Sequence, residues 1–204
     1  MNTLYRKYLK QLFDFLLVCL LFSILCIFIP IIGGIIYLTD KGSMFYCGYR
    51  IGQNGQSFKM YKFRTMYVNA PDIRLEDGST YNSDDDSRVT KVGHFLRKTS
   101  IDELPQLLNV FNGTMSFIGP RPDPLDWLEK YTSDEKIILS VKPGITGYNQ
   151  AYFRNNADGQ AKLDNDVFYA KNIPFALDLK ILFKTIETVV LQKKIILIRN
   201  EYLN

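Results

Sequence analysis

Residues 12–38 read LFDFLLVCLLFSILCIFIPIIGGIIYL, an almost wholly apolar run preceded by an amphipathic start that carries Arg6, Lys7 and Lys10. A run of this length is sufficient for a membrane segment. Three features separate it from a simple span. Asp14 lies near its start. Pro30, followed by Gly33-Gly34, predicts a break about two thirds of the way along. The cationic flanks are nearly balanced, with Lys41 and Arg50 on the far side, whereas a span should show a positive bias at one end. Balanced flanks suit a helix that enters one leaflet, kinks and leaves on the same side. A straight span with the rest of the chain cytoplasmic is the alternative. No small-x-small cleavage site follows a short apolar core, so a signal peptide is not predicted.

Beyond Lys41-Gly42-Ser43 the pattern changes. Residues 44–50 and 58–66 read as strands around the turn Gly52-Gln53-Asn54-Gly55. Lys62 and Arg64 fall on one face of the second strand, with Tyr61, Phe63 and Thr65 on the other. Two cations two residues apart form either a solvated strand face or a place for an anion. Residues 68–87 are polar and acidic, with the run Asp84-Asp85-Asp86. Consecutive side chains on an extended chain diverge and calcium-loop spacing is absent, so a solvated loop is expected. Arg88, Lys91, Arg97 and Lys98 then restore positive charge.

Leu104, Leu107, Leu108 and Phe111 lie at i, i+3, i+4, i+7 and predict a helix of about three turns, stopped by Asn112-Gly113. Its start is ambiguous. Ser100-x-x-Glu103 fits a capping box but leaves Pro105 where it loses a hydrogen bond. Asp102 as N-cap places Pro105 in the first turn, where it costs little. Either way, Asp102 and Glu103 sit at a helix N-terminus, and capping alone would account for them. Further helices are predicted over 123–131, 133–140 and 177–192. The last has Leu179, Leu182, Phe183, Ile186 and Val190 on one face and Lys180, Lys184 and Glu187 on the other. It suits a packed surface helix or one lying on a membrane interface. Lys142-Pro143-Gly144-Ile145-Thr146-Gly147 is a glycine-rich corner of the kind whose amides can cradle phosphate.

Composition narrows this a little. The 204 residues allow one domain with a core, 41–204, plus the attached segment 1–40. With 47% hydrophobic and 23% charged residues the chain is not disordered. The net charge of +4 suits an acidic partner such as a nucleotide, a lipid phosphate or an anionic membrane, and singles out none. Cys19, Cys26 and Cys47 do not make a disulfide scaffold, and one histidine, His94, argues against zinc.

One block stands out: Arg88-Val89-Thr90-Lys91-Val92-Gly93, then Leu96-Arg97-Lys98-Thr99-Ser100-Ile101-Asp102-Glu103-Leu104-Pro105-Gln106, then Met115-Ser116-Phe117-Ile118-Gly119-Pro120-Arg121-Pro122. With the strings YKFRTM, Pro143-Gly144-Ile145-Thr146-Gly147 and DVFYAKN, it resembles the monotopic phosphoglycosyl transferases. This is the family of undecaprenyl-phosphate galactose and glucose phosphotransferases, and the likeness covers nearly the whole chain. It implies an α/β fold, helix-rich with short strands, in which a re-entrant helix kinked near Pro30 precedes a small catalytic domain with interfacial amphipathic helices. Both ends of that helix would lie on the cytoplasmic face of the bacterial inner membrane. With one membrane segment the chain looks like the minimal catalytic form.

The likeness further implies transfer of a phosphosugar from a UDP-sugar to polyprenyl phosphate, with release of UMP. Asp102 would be the nucleophile, and Asp102 and Glu103 would hold Mg²⁺. The substrate contacts it implies are Lys62, Arg64, Arg88, Arg121, Pro122, Gly144, Thr146, Arg154, Asn155 and Asp166. Membrane lipid is an expected partner, nucleic acid is not, and a homodimer is open. There are departures. Pro30 follows Ile29 where the family often has Ser-Pro, Phe153 replaces a small residue before Arg154-Asn155, and a tryptophan common near Gly159 is missing. A membrane-anchored scaffold, in which the acidic pair merely caps a helix, is the competing reading. A phosphohydrolase with water as acceptor is a third.

Overall fold

The computed structural model describes residues 4–74, 81, 83, 85–153 and 159–190. A π-helical turn, Tyr5–Leu9, runs directly into α1 (Lys10–Asp40), which stops at Lys41 in the left-handed conformation (φ 59°). β1 (Phe45–Ile51) and β2 (Ser57–Phe63) form an antiparallel hairpin in which Phe45 faces Phe63 and Ile51 faces Ser57. Asn54 and Gly55 both take positive φ in its turn, as tight reversals require. Next come α2 (Lys91–Lys98), a 3₁₀ segment (Ile101–Gln106), α3 (Leu107–Phe111) and β3 (Ser116–Ile118). β4 (Gly144–Thr146) pairs parallel with β3. The helices α4 (Tyr148–Tyr152), α5 (Gly159–Lys171) and α6 (Phe175–Val190) complete the domain. The helix-rich fold with short strands agrees with expectation.

Some expected elements are smaller. β2 ends at Phe63, and Met66 pairs alone with Val89. The helices expected over 123–131 and 133–140 are reduced to the 3₁₀ turns Leu125–Trp127 and Glu135–Ser140. Pro124 holds the backbone extended before the first (φ −59°, ψ 156°). At the second, the Thr132 amide donates to Glu135 Oε2 and the Glu135 amide to Thr132 Oγ1. That reciprocal box closes one turn without propagating a longer helix. Residues 191 and 192 of the last expected helix lie outside the described residues.

α1 does not stand apart from the domain. It is about 46 Å long at 1.5 Å per residue, and one face is packed along much of that length. Val18 and Leu25 join Phe58, Met60, Leu107, Val110 and Met115 in one core cluster. Ile32 and Ile36 join Phe63 and Leu96 in another. Polar ties hold both ends. Near the start, the Tyr5 hydroxyl and Lys10 Nζ each donate to Asp178 Oδ2 at 2.7 Å. The Phe117 amide donates to Asp14 Oδ1 at 3.0 Å. At the far end, Asp40 receives the Arg64 guanidinium and the Val68 amide. Leu16, Leu20, Ile24, Ile27, Ile31 and Leu38 remain exposed. The helix is long and apolar enough to cross a membrane.

The helix break expected at Pro30 is not observed. α1 is one unbroken helix with Pro30 inside it. The missing amide removes one rung of the ladder, the bond to the Cys26 carbonyl, while the flanking residues Leu25, Ile29 and Ile32 pack against the domain. Packing on both sides holds the helix through the gap.

Candidate active site

Neither capping scheme expected for the acidic pair is present. Ser100 sits just before the 3₁₀ segment with left-handed φ 57° and makes no side-chain cap. Its carbonyl accepts the Glu103 amide at 3.2 Å. Pro105 falls inside this 3₁₀ segment, whose tight turn precedes α3. The two carboxylates are therefore not spent on backbone amides.

Their environments differ. Glu103 Oε1 accepts from Lys62 Nζ at 2.7 Å and from Arg121 Nη2 at 2.9 Å. Burial works to raise the Glu103 carboxyl, but Arg121 and Lys62 outweigh it and hold it well below the usual carboxylate range. Glu103 in turn strengthens the hold of Arg121 on its proton. Asp102 is 8% exposed, and among the described residues its carboxylate makes no hydrogen bond or ion pair. Burial raises its carboxyl and the adjacent Glu103 adds to that, against the pull of Lys62, Arg121 and Arg97. The pair thus consists of a neutralised glutamate and a neighbouring aspartate whose oxygens are uncommitted, under positive potential from three cations.

Local structure accounts for these positions. Lys62 lies near the end of β2, whose edge is held by Asn109. The Tyr61 amide donates to Asn109 Oδ1 at 3.0 Å, and Asn109 Nδ2 donates to the Lys59 carbonyl at 2.8 Å. Arg97 on α2 donates through Nε to Thr65 Oγ1 at 2.9 Å. Asn109 and Arg97 were not among the expected site residues. Arg97 carried a signal only as a member of the motif block, and neither spacing nor charge says that Asn109 reaches back 48 residues to β2.

Arg121 and Pro122 follow β3 on a corner made by close backbone crossing. The Gly119 amide donates to the Thr146 carbonyl at 2.8 Å, and the Gly144 amide to the Pro120 carbonyl at 2.9 Å. A Cβ on Gly144 would sit 2.1 Å from the Gly119 nitrogen, so the glycine is needed for approach. This corrects the phosphate-cradle reading. The Gly144 amide is already bonded, and Thr146 Oγ1 pairs with Thr185 Oγ1 at 2.8 Å. Both residues brace the Arg121 corner from behind.

Three more expectations change. Arg64 is not with Lys62 at the acidic pair but ion-pairs with Asp40, because β2 has ended and its alternation no longer holds. Arg88 is buried, with Nε and Nη2 on Asp86, Nη1 on the Pro71 carbonyl and Nη2 also on the Tyr81 carbonyl. All its nitrogens serve the loop, and Asp86 is a buried ion-pair partner and not a solvated loop residue. Asp166 is 1% exposed. It lies 3.4 Å from Lys162, which donates to both oxygens of Asp123 at 2.8 and 2.7 Å. Burial, opposed by Lys162, pushes its carboxyl up to about 7. Asp166 therefore belongs to a buried layer behind the Arg121-Pro122-Asp123 turn. Arg154 and Asn155 lie outside the described residues. The structure brings together Lys62, Asp102, Glu103 and Arg121, with Pro122 adjoining.

A family model described as bacterial sugar transferase matches residues 5–192. The chain belongs to this family, and α1 gives it a form suited to membrane association. It is 41% identical to the exopolysaccharide production protein ExoY of Sinorhizobium fredii, covering 90% of this chain and 86% of that protein. It is 39% identical to an undecaprenyl-phosphate galactose phosphotransferase of Salmonella typhimurium, over 90% of this chain and 40% of that protein. A UDP-N-acetylgalactosamine-undecaprenyl-phosphate N-acetylgalactosaminephosphotransferase of Aeromonas hydrophila is 37% identical, over 76% of this chain and 37% of its own length. The chain thus spans most of the first relative and about two fifths of the other two.

Proposed function

We propose that the protein transfers a phosphosugar from a UDP-sugar to undecaprenyl or a related polyprenyl phosphate, releasing UMP. The observation that carries this reading is the split acidic pair: Glu103 neutralised by Lys62 and Arg121, and Asp102 beside it with no hydrogen-bond or ion-pair partner among the described residues. The phosphorus under attack is anionic, and a carboxylate nucleophile is repelled unless cations lower that charge. Lys62, Arg97 and Arg121 are placed to do so. An Asp102 oxygen attacks the sugar-bearing phosphorus, the anhydride P–O bond to UMP breaks, and UMP leaves with the electron pair. An oxygen of the lipid phosphate then attacks the same phosphorus and displaces Asp102, giving a polyprenyl diphosphosugar. Covalent catalysis lets a soluble donor and a lipid acceptor react in turn.

The residues fit Mg²⁺. Asp102 has no partner among the described residues, and Lys62 and Arg121 both bond the same oxygen of Glu103, so that both carboxylates have an oxygen to offer. Mg²⁺ takes one or two carboxylates together with substrate phosphate oxygens, and would neutralise donor charge there.

The membrane reading is that α1, continuous but bent at Pro30 where one rung of its ladder is missing, has both ends on one side, with the domain on the cytoplasmic face of the inner membrane. Its support is that one domain binds both ends of α1, through Asp178 at one end and Arg64 at the other. Phe13 stacks on Phe175 at 5.7 Å, which carries the apolar surface of α1 onto α6, where Leu179, Phe183 and Ile186 are exposed. An interfacial α6 would hold the acceptor's phosphate level with the site.

The test is a single-turnover assay without lipid. Detergent-solubilised protein is mixed with Mg²⁺ and a panel of UDP-sugars, and UMP and intact-protein mass are followed. The expected result is a stoichiometric UMP burst with a phosphosugar adduct that is absent in Asp102→Asn. Turnover by Asp102→Asn, or sugar phosphate released to water with no need for lipid, would refute the proposal.

A further inference from the structure

A cluster of donors on the hairpin has no part in the steps above. Antiparallel pairing sets Tyr46 opposite Lys62 and Gly48 opposite Met60. Residues directly opposite, or two apart on one strand, point to the same face. Tyr46, Gly48 and Arg50 therefore share the face from which Lys62 reaches Glu103. Gly48 keeps that face open. A Cβ there would meet Arg50 Nη1 at 3.2 Å and the Tyr46 hydroxyl at 3.3 Å. The Arg50 guanidinium thus folds back along β1 and converges with the phenol over the glycine.

Arg50 is half-buried and is held beside the Arg121 corner, because the next amide, that of Ile51, donates to the Asp123 carbonyl at 2.9 Å. Among the described residues Arg50 forms no ion pair, and its one hydrogen bond runs from Nη1 to the neutral Tyr49 carbonyl at 2.9 Å. The other charges around it are already engaged. Asp123 takes Lys162 and the Tyr131 hydroxyl, Arg74 is on Asp72, and Arg121 is on Glu103. Burial loosens the hold of Arg50 on its proton, and the like charges of Arg121 and Arg74 add to that, against Tyr46 and Asp123. A half-buried guanidinium beside another, with no carboxylate of its own, is costly until an anion joins it. Of its five forked N–H donors only one is spent, and such a fork matches phosphate.

The direction of the chemistry says which phosphate. In phosphoryl transfer the attacking and leaving oxygens lie roughly in line through the phosphorus. With Asp102 on one side, the departing nucleotide is on the other. Arg121 acts on Asp102 and on Arg50 alike, and so links the attacking side to the hairpin. We propose that Arg50, with the Tyr46 hydroxyl, binds the nucleotide-side phosphate of the donor and the UMP that departs. This rests on the reading of Asp102 as the attacking group. As the anhydride P–O bond breaks, its electron pair passes to the UMP oxygen, and the Arg50 N–H groups meet the charge that grows there.

The experiment uses the full chain in detergent with Mg²⁺. UMP and uridine are titrated by calorimetry into the wild type, Arg50→Gln, Arg50→Lys, Tyr46→Phe and the exposed-surface control Lys136→Gln. Single-turnover UMP release and adduct mass are followed in the same proteins. Arg50→Gln should weaken UMP binding roughly tenfold or more and slow the burst at saturating donor, with uridine binding unchanged. Arg50→Lys should recover part of the UMP affinity, and Lys136→Gln should match the wild type. Tyr46→Phe should weaken UMP severalfold. Tyr46 is exposed, so this variant reads the site even if Arg50→Gln folds poorly. Wild-type UMP affinity in Arg50→Gln and Tyr46→Phe overturns the proposal, and so does an equal loss of UMP and uridine binding. Normal UMP binding with slow transfer of a preformed adduct to polyprenyl phosphate assigns Arg50 to the acceptor and also overturns it. UMP binding that depends on Arg50, in a wild type that forms no adduct, refutes the aspartyl step alone and upholds the phosphate site.

Discussion

Lys62→Gln removes one of two cations from a single carboxylate oxygen. The Lys62–Glu103 contact is 2.7 Å, with the two side chains 17% and 18% exposed. At an effective dielectric near 20, opposite charges at that distance attract by about 6 kcal/mol. Desolvation cancels much of this, and a charge-assisted hydrogen bond of this kind is worth about 1.5–3 kcal/mol net. If Lys62 stabilises the transition state by that much more than it stabilises the bound ground state, UMP release in a single turnover should slow by roughly ten- to two-hundredfold. The pH profile supplies an independent readout. Glu103 has a depressed pKa, so the stability from its ion pairs is complete above the unfolded value of about 4.3. It is lost as pH falls through the folded value. Without Lys62 the carboxyl rises toward 4.3, and the acid loss of activity and of melting temperature should begin at higher pH. Lys62→Arg, which keeps the charge, should recover part of both. Unchanged burst rate and unchanged acid limb in Lys62→Gln would refute the role given to the Lys62–Glu103–Arg121 cluster.

Asp102→Asn should lose the adduct yet fold more stably. Asp102 has a raised pKa, so its charged form costs stability as pH rises above the unfolded value. Removing that charge should raise Tm at pH 7 above the wild type, and a Tm at or below the wild type would contradict the burial cost assigned to Asp102. Arg88→Gln should destabilise by about 3–5 kcal/mol, because Asp86 is left buried without its partner. The folded fraction should keep its KM for the donor, and a large rise in KM with normal stability would restore a substrate role for Arg88. Gly93→Ala should cost more than about 2 kcal/mol in thermal melts, since its Cβ would meet the Thr65 carbonyl oxygen at 1.9 Å. A melt within a degree of wild type would contradict that packing.

The sequence alone determined the elements whose signals are local. The apolar run of 12–38 had to become a long helix. The alternation on either side of Gly52-Gln53-Asn54-Gly55 had to become a hairpin, and Asn112-Gly113 had to end a helix. The sequence also placed Asp102 and Glu103 together, because neighbours in the chain are neighbours in space. Tertiary structure decided what those carboxylates meet. Lys62 and Arg64 look equivalent by alternation, yet one reaches Glu103 and the other Asp40, since the strand stops between them. Arg88 and Arg121 look equally fit to bind phosphate, yet Arg88 is consumed by Asp86 and two carbonyls 17 and 7 residues away. The glycines of 144 and 147 suggest an open cradle, and only the crossing with Gly119 shows that they exist for close contact. Pro30 predicts a break, and packing of α1 on both sides of it keeps the helix whole. In each case a local expectation was overridden by contacts between residues far apart in the chain, and those depend on burial and geometry that no short window of sequence contains.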